Sequence, residues 1–278
     1  MKIPKSLESS VQNGLVDEVV CQLMSGKEAE VYVVISKGEV RCAKVYKKAG
    51  KRSFSQQAQY QEGRKVRNSR QARAMGKNSR YGRKEQEGAW HNAEVVALQR
   101  LIDADVRVPK IYSYVDGVLL MELVVDANGE AAPRLNDMRL SAEQARECHR
   151  AMISQIVLML CAGLVHGDLS EYNVLSGSNG LVIIDLPQAI DAAGNNNAGK
   201  LLLRDVANMT AYFGRFAPDL LTTDYGREIW KLYACGELKP GAELTGRFVQ
   251  SGIPADVNGV MQDIDSARLW HERYQSKA

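Results

Sequence analysis

Three polar residues in the stretch GLVHGDLSEYNVL, residues 163–175, have types and a spacing that could do chemistry together. Asp168 comes two residues after His166, and Asn173 follows five residues after Asp168, with apolar residues on both sides. A carboxylate can accept a proton from a hydroxyl group, and a carboxamide oxygen can bind a divalent cation. One short loop between buried segments would then serve an attacking hydroxyl and a metal at once.

Three further residues complete a set that suits phosphoryl transfer. Asp185 lies at the end of the apolar run GLVIID, which predicts a short buried strand. Lys44 lies in the apolar run CAKVY, and a lysine in a buried strand needs an anionic partner, for which Glu94 is our candidate. A lysine held by a glutamate would place the α- and β-phosphates, with Asn173 and Asp185 on Mg²⁺ or Mn²⁺ and Asp168 as the base.

The elements that must position these residues begin with strands. Residues 17–46 predict three strands, with a turn at SGKEAE whose backbone N–H groups could cover phosphates and a hairpin turn at Lys37-Gly38-Glu39. An apolar stripe at helical spacing predicts a helix over about residues 88–106. Asp116-Gly117 then predicts a second hairpin within KIYSYVDGVLLMELV.

Helices dominate the rest of the chain. Ser141 and Gln144 form a capping-box pattern at the start of a long helix, and Gly163 marks its end. A further helix is expected after the Asn-rich stretch at residues 195–197. This order predicts an α+β fold of two lobes. We expect a β-rich lobe over residues 1–122, with a polar and basic insertion at 50–88, and a mostly helical lobe over 123–278.

Composition is that of an ordinary globular protein, but the charge is unevenly placed. The chain has 278 residues, 45% of them hydrophobic, and a net charge of +3. Residues 63–84 contain nine Lys and Arg and no Asp or Glu, so the remainder carries 3 − 9 = −6. A segment of this kind favours a polyanionic partner, and a solvated loop without a partner is the alternative.

Other features suggest a cytoplasmic protein. The N-terminus lacks the apolar region of a secretory signal, and no apolar run is long enough for a membrane span. The five scattered cysteines include no CxxC pair, which argues against a zinc site and favours free core thiols.

The chain resembles the RIO family of atypical protein kinases over roughly residues 15–220. Trp90 followed by Glu94 fits the family's helix that carries the partner of the lysine. The motifs that carry the resemblance occur in order and are SGKEAEVY at 25–32, HGDLSEYN at 166–173, IIDLPQ at 183–188 and LRDVAN at 203–208. We expect a compact, bacterial-looking member of the family, without the winged-helix domain of its better-known members.

The resemblance implies a bilobal kinase fold that binds ATP and a divalent metal. Ser25 and Lys27 would lie in the phosphate loop, although a plain turn serine is the alternative for Ser25. Lys44 would bind the phosphates, and backbone atoms of Glu122 and Val124 would bind the adenine.

The resemblance also assigns the reacting groups. Asp168 would be the catalytic base, and Asn173 and Asp185 would bind the metal. In this family the metal-binding aspartate can itself be phosphorylated, so Asp185 could form an aspartyl-phosphate. The chain has no APE motif and no evident platform for a peptide substrate.

Three functions stay open at this point. The first is a serine/threonine protein kinase that also phosphorylates itself, with an unknown protein substrate. The second is an ATPase switch on a ribonucleoprotein such as the small ribosomal subunit, acting through Asp185 and contacting rRNA through residues 63–84. The third is a small-molecule phosphotransferase, since antibiotic and choline kinases share an HGDL…N loop. A non-catalytic RNA-binding scaffold is the weakest alternative, because the catalytic set is intact.

Overall fold

Runs of β-branched residues in the first half of the chain form one antiparallel sheet. The protein's structure is a computed structural model that describes residues 3–26, 29–47 and 93–248. Within them the sheet has the order β1-β2-β3-β5-β4, with every neighbouring pair antiparallel. The strands are β1 (Glu18–Ser25), β2 (Ala29–Ser36), β3 (Glu39–Tyr46), β4 (Ile111–Val115) and β5 (Val118–Glu122).

Two tight turns set the register of this sheet. Lys37 and Gly38 have φ values of 54° and 75°, and Asp116 and Gly117 have φ values of 51° and 79°. Two successive residues with positive φ are typical of the turns that match the twist of a two-residue hairpin. Both predicted hairpins are therefore confirmed.

The two faces of the sheet have different neighbours because side chains alternate along a strand. Ala43 and Val45 face a small core that includes Leu120 and is covered by Leu7 and Val16 from the N-terminal segment. That segment contains one helix, α1 (Glu8–Gln12). Lys44 lies between Ala43 and Val45 and so points to the opposite face, toward the helix that follows.

That helix, α2, covers the described residues 93–102 and ends earlier than the predicted 106. Its buried apolar side chains are Ala97, Leu98 and Leu101. Glu94 precedes Ala97 by one helical turn and lies on the same buried face. Trp90 lies outside the described residues.

The second half of the chain is mostly helical. Helix α3 (Ala142–Cys161) begins with the predicted capping box of Ser141 and Gln144. Gly163 follows it with φ 74°, a left-handed conformation typical of the glycine after a helix end. The remaining helices in the described part of the chain are α4 (Ala198–Gly214), α5 (Tyr225–Ala234) and the short 3₁₀ turns Leu135–Asp137 and Pro218–Thr222.

Four short strands lie between α3 and α4. These are β6 (Leu164–Val165), β7 (Val174–Gly177), β8 (Gly180–Ile183) and β9 (Ile190–Asp191), paired as β6 with β9 and β7 with β8. The strand predicted before Asp185 is present, but its predicted end at Asp185 is wrong. Strand β8 stops at Ile183, and Asp185 lies two residues later in the loop.

A second, larger core joins α2 to the helical half. Leu101 of α2, Leu160 of α3, Ile183 of β8 and Phe213 of α4 belong to this one buried cluster. Each such side chain contributes about 1.5–3 kcal/mol when it is fully buried. The helix that carries Glu94 is thus held against the segment that carries the HGDLSEYN loop.

Several sequence predictions concern other parts of the chain. The insertion 50–88, the basic segment 63–84 and the residues after 248 lie outside the described residues. The chain divides into the units Met1–Arg247 and Phe248–Ala278, and all the helices and strands named above belong to the first unit. The lobe boundary at residue 122 stays a prediction.

Two properties of the described residues bear on the cellular setting. None of the helices described combines the length and apolar character that a bilayer span needs. All five cysteines are free, but only Cys42 is buried, while Cys21 and Cys235 are exposed. Cys148 and Cys161 are partly buried and pack against the larger core, so the prediction of core thiols is wrong only for Cys21 and Cys235.

Candidate active site

The ammonium group of Lys44 on the sheet contacts one carboxylate on helix α2 and another in the loop after β8. Lys44 Nζ on β3 lies 2.7 Å from Glu94 Oε1 on α2 and 2.8 Å from Asp185 Oδ1 in the loop after β8. The Glu94 side chain is 3% exposed and that of Lys44 12%, whereas the Asp185 side chain is 50% exposed. The structure thus brings together three of the predicted site residues, because Glu94 and Asp185 both contact Lys44.

The two carboxylates keep this buried lysine charged. Burial by itself lowers the pKa of Lys44, but Glu94 and Asp185 more than offset this effect, so the pKa lies above its usual range. Partial burial alone would raise the pKa of Asp185, and the Lys44 ammonium instead holds it below its usual value. Both groups are therefore ionised at neutral pH, as binding of phosphate and of a cation requires.

The backbone at Asp185 has an unusual conformation. Its φ of 66° is left-handed, which is uncommon for a residue other than glycine and is best tolerated by Asp and Asn. The turn directs the carboxylate back toward β3 after the strand has ended. Such a conformation persists only where surrounding contacts hold it, and the Lys44 ion pair is one of them.

The HGDLSEYN loop folds so that Asp168 and Asn173 are tied to one another. The Asn173 amide nitrogen donates to the Asp168 carbonyl oxygen at 2.9 Å. The Asn173 carbonyl accepts from the Ile184 N–H at 2.9 Å, which connects the loop to the residue before Asp185. Because its amide nitrogen is engaged with the loop, Asn173 has its side-chain oxygen to offer a cation.

The Asp168 carboxylate has a raised pKa. Burial is the main cause, while His166 and Arg204 lower the value and Asp185 raises it. The Asp168 N–H donates to His166 Nδ1 at 3.3 Å, and His166 Nε2 lies 3.1 Å from the Ile184 carbonyl oxygen. His166 is in this way a link between the loop and the Asp185 segment.

Side chains of helix α4 hold the HGDLSEYN loop through four backbone groups of that loop. Asp205 accepts from Gly167 N–H at 2.7 Å and from Leu169 N–H at 3.0 Å. Asn208 donates to the Leu169 carbonyl at 3.0 Å, and Arg204 donates to the Gly167 carbonyl. Residues 204, 205 and 208 share one helix face. The LRDVAN motif therefore supplies the side chains that hold the HGDLSEYN loop.

Asp205 is a positioning group, as its surroundings show. Its side chain is buried, and burial raises its pKa to about 6 against the lowering effects of His166 and of the two N–H donors. Each of the two carboxylate oxygens accepts one backbone N–H of the loop, so Asp205 holds the loop in place from α4.

Comparison with known protein families identifies the family of this chain. The RIO domain family model matches residues 30–225, well over half of the chain. The chain belongs to the RIO family. The relatives it resembles include the RIO-type serine/threonine-protein kinase Rio1 of Haloferax volcanii, 31% identical over 209 residues that cover 75% of this chain and 68% of that protein.

Two further RIO relatives show how much of each protein is shared. The serine/threonine-protein kinase RIO1 of Homo sapiens is 29% identical over 75% of this chain but only 35% of its own length. The RIO-type serine/threonine-protein kinase Rio2 of Methanocaldococcus jannaschii is 25% identical over 77% of this chain and 74% of its own. The prediction of a RIO-type serine/threonine kinase is thereby confirmed at the level of the family.

Solved structures confirm the predicted bilobal α+β kinase fold. The Rio2 kinase of Chaetomium thermophilum, in a crystal structure with ADP/Mg²⁺ and phosphoaspartate, matches 84% of this chain and 72% of its own with a TM-score of 0.54 and 17% identity. A second structure of that kinase has a TM-score of 0.55, 18% identity and coverage of 81% and 66%.

The predicted phosphate loop is described in part. Ser25 and Gly26 lie at the end of β1, and Lys27 lies outside the described residues. Lys47, just after β3, donates to the Ser25 hydroxyl at 3.1 Å and to the Gly26 carbonyl at 2.9 Å, and it lies 3.4 Å from Glu30. Sequence analysis missed Lys47, because its spacing of three residues from Lys44 does not place the two side chains on the same face of a strand.

The predicted adenine segment leaves the sheet at the end of β5. Glu122 pairs with Arg41 on β3, and its N–H donates to the Lys110 carbonyl at 2.8 Å. Val124 is buried, and its carbonyl accepts from the Ala132 N–H at 2.9 Å. Adenine binding by Glu122 and Val124 stays a prediction.

Proposed function

We propose that this chain transfers the γ-phosphate of ATP to serine or threonine of a protein, including itself. The observation that carries the proposal is the Lys44 ammonium, held between the buried Glu94 and the half-exposed Asp185. The serine/threonine-kinase names of its RIO relatives support it. The protein substrate is not identified, and the cytoplasm, where ATP and free thiols coexist, is the proposed setting.

The residues divide the reaction among them. Lys44 binds oxygens of the triphosphate, and Glu94 holds Lys44 in place. Asp168 orients the substrate hydroxyl and accepts its proton while the hydroxyl oxygen bonds to the γ-phosphorus. The bond to the bridging oxygen breaks at the same time, and ADP leaves with the electron pair. Ser25 and Gly26 would cover the phosphates from the β1 end.

The donor set fits Mg²⁺ or Mn²⁺. Asn173 would contribute its carboxamide oxygen and Asp185 its carboxylate, and both are hard oxygen ligands. The described residues contain no cluster of three or more His, Cys, Asp or Glu, so they favour a metal that takes its other ligands from phosphate and water. The bound ion would offset the negative charge of the phosphate oxygens.

The test follows γ-labelled ATP with purified protein and Mg²⁺ or Mn²⁺. We expect label on serine or threonine, stable to acid, in the wild type. Asp168→Asn and Asp185→Asn remove the base and the metal carboxylate, and each lowers the rate at least about 100-fold. Asp219→Asn is the matched control, because Asp219 is exposed and forms a surface ion pair with Arg146. Equal rates in all four proteins would contradict the proposal.

A second function is favoured by the exposure of Asp185. Its ionised, half-exposed carboxylate can attack the γ-phosphorus, form an aspartyl-phosphate and release ADP, after which water hydrolyses the acyl phosphate. The crystal structure of Rio2 as an ADP/Mg²⁺-phosphoaspartate complex supports this alternative. Label that hydroxylamine removes, with steady phosphate release, would identify an ATPase cycle in place of a protein kinase.

The ribonucleoprotein partner of such a cycle rests on the basic residues 63–84. If they contact rRNA, affinity falls steeply with salt, and deleting the segment flattens that slope. An unchanged slope would contradict the rRNA contact. Membership of the RIO family removes support from the small-molecule phosphotransferase.

A further inference from the structure

The buried carboxylate of Glu94 has two hydrogen-bond donors, and sequence analysis assigned only one. Lys44 Nζ donates to Oε1 at 2.7 Å, and the Tyr46 hydroxyl donates to Oε2 at 2.5 Å. With the side chain 3% exposed, water cannot replace the second donor. A buried carboxylate oxygen without a donor is costly, so the phenol satisfies a real requirement of the site.

The position of Tyr46 follows from the strand. It comes two residues after Lys44 on β3, so both side chains lie on the same face of the sheet. Its ring packs edge-on against Tyr114 of β4, with 6.2 Å between centroids and 82° between the ring planes. The aromatic packing fixes the ring, and the ring in turn fixes where the hydroxyl meets Glu94.

We propose that Tyr46 is a positioning residue for the phosphate-binding lysine. By occupying Oε2, its hydroxyl fixes the Glu94 carboxylate so that only Oε1 faces Lys44. This inference rests on the proposed function, in which Lys44 binds the triphosphate.

The geometry of the ammonium explains the effect. Lys44 has three N–H donors, and Glu94 and Asp185 engage two of them. If Oε2 loses the phenol, the third N–H of Lys44 can donate to it instead, and the ammonium turns away from the phosphates. Burial and the Glu94 carboxylate raise the pKa of Tyr46, so its hydroxyl keeps its proton and stays a donor.

The experiment measures two ligands by calorimetry, ATP with Mg²⁺ and adenosine. Tyr46→Phe removes only the hydroxyl, and the loss of one hydrogen bond to a charged group corresponds to about tenfold in ATP affinity. Adenosine has no phosphates for Lys44 to bind, so its affinity stays unchanged. Tyr114→Phe is the matched control, since it removes a phenol hydroxyl from the ring that packs on Tyr46, and we expect wild-type affinity for both ligands.

A purely structural role for Tyr46 would weaken both ligands together, and that result would overturn the inference. Unchanged ATP affinity in Tyr46→Phe would overturn it as well. The Lys44→Met background is a second check, because a residue that acts through Lys44 has no effect on ATP affinity once Lys44 is absent. If the wild type itself binds no ATP, the proposed function fails, which is a different outcome from the failure of Tyr46.

Discussion

At the residue scale, the site is an arrangement of charges around one lysine. Lys44 contacts two carboxylates at 2.7 and 2.8 Å, so one positive charge faces two negative ones. Burying an ion pair costs desolvation, and Glu94 recovers part of that cost through its second bond to Tyr46. Asp185 is exposed on its other side, and its remaining negative charge, together with the Asn173 carboxamide, favours a hard divalent cation.

The first prediction concerns Asp205. In Asp205→Asn one of the two acceptor oxygens becomes an NH₂ group, which cannot accept a hydrogen bond. Either the Gly167 N–H or the Leu169 N–H therefore loses its acceptor. We expect the unfolding free energy to fall by about 1–3 kcal/mol, because a buried N–H loses its acceptor. We also expect kcat to fall about tenfold or more with ATP affinity nearly unchanged, because Asp168 moves with the loop.

The matched control for that variant is Asp224→Asn. Asp224 also accepts a backbone N–H, from Arg227 at the start of α5, but asparagine caps a helix about as well as aspartate. Urea unfolding and steady-state kinetics on both variants provide the comparison. An Asp205→Asn protein with wild-type kcat would show that the loop keeps its geometry without this acceptor.

At the element scale, helices supply the rigidity that the site loops lack. Helix α4 carries Arg204, Asp205 and Asn208 on the face toward the HGDLSEYN loop, and α2 carries Glu94 on the face toward β3. Both helices are packed into the larger core, so each polar group is mounted on an element that is itself fixed. We therefore expect the packing of α4 to affect catalysis through the loop.

The second prediction concerns that packing and its response to pH. His149 of α3 is buried, contacts the Thr210 hydroxyl of α4 at 3.0 Å and packs against Phe213 and Tyr225. Burial lowers its pKa from 6.5 to about 4, so the unfolded chain binds this proton more readily. Stability is full above pH 6.5 and declines as the pH falls toward 4, by about 2 kcal/mol at pH 5.

The measurement is urea unfolding at pH 7.5 and at pH 5 for the wild type and for His149→Gln. The glutamine does not titrate, so the wild type should lose more stability than the variant between these two pH values. Carboxyl groups elsewhere contribute equally to both proteins and cancel in the difference. Parallel losses would mean that His149 is protonated without cost in the folded protein.

At the scale of the whole molecule, contacts between distant segments assemble the site. Lys44 and Asp185 are 141 residues apart, and Lys44 and Glu94 are 50 apart. The Ile183 N–H also donates to the Arg107 carbonyl, which links β8 to the segment after α2. A nucleotide that contacts Lys44 and, through a metal, Asn173 and Asp185 would add to these links and stabilise the folded chain.

The third prediction is a metal-dependent rise in melting temperature. At 100 times the dissociation constant a ligand adds about 2.7 kcal/mol, which for a chain of this size is about 5 to 10 °C. We expect a shift of this order with ATP and Mg²⁺ and a smaller one with ATP and EDTA. Asn173→Ala should abolish the difference between the two conditions.

Asn136→Ala is the control for this measurement, because among the described residues the Asn136 side-chain amide has one long contact, 3.4 Å, with Asp137. It should keep the full metal dependence. Identical shifts with Mg²⁺ and with EDTA in the wild type would contradict the assignment of Asn173 and Asp185 to a cation.

The features that the sequence determined by itself depend on residues that are close together along the chain. The capping box at Ser141, the left-handed Gly163 and the Asp116-Gly117 turn follow from residues within a few positions, because backbone hydrogen bonding there is local. The need of Lys44 for an anionic partner was also predictable, since a charged lysine in a buried strand is costly without one, and the candidate Glu94 is the residue that pairs with it.

Tertiary structure alone decided how these local pieces meet. The end of β8 at Ile183, the turn of Asp185 toward Lys44, the Tyr46 bond to Glu94 and the hold of α4 on four loop groups could not be obtained from spacing. The reason is geometric. Side-chain periodicity tells which face of a strand or helix is buried, but the atom that it meets there depends on the packing of elements far apart in the chain.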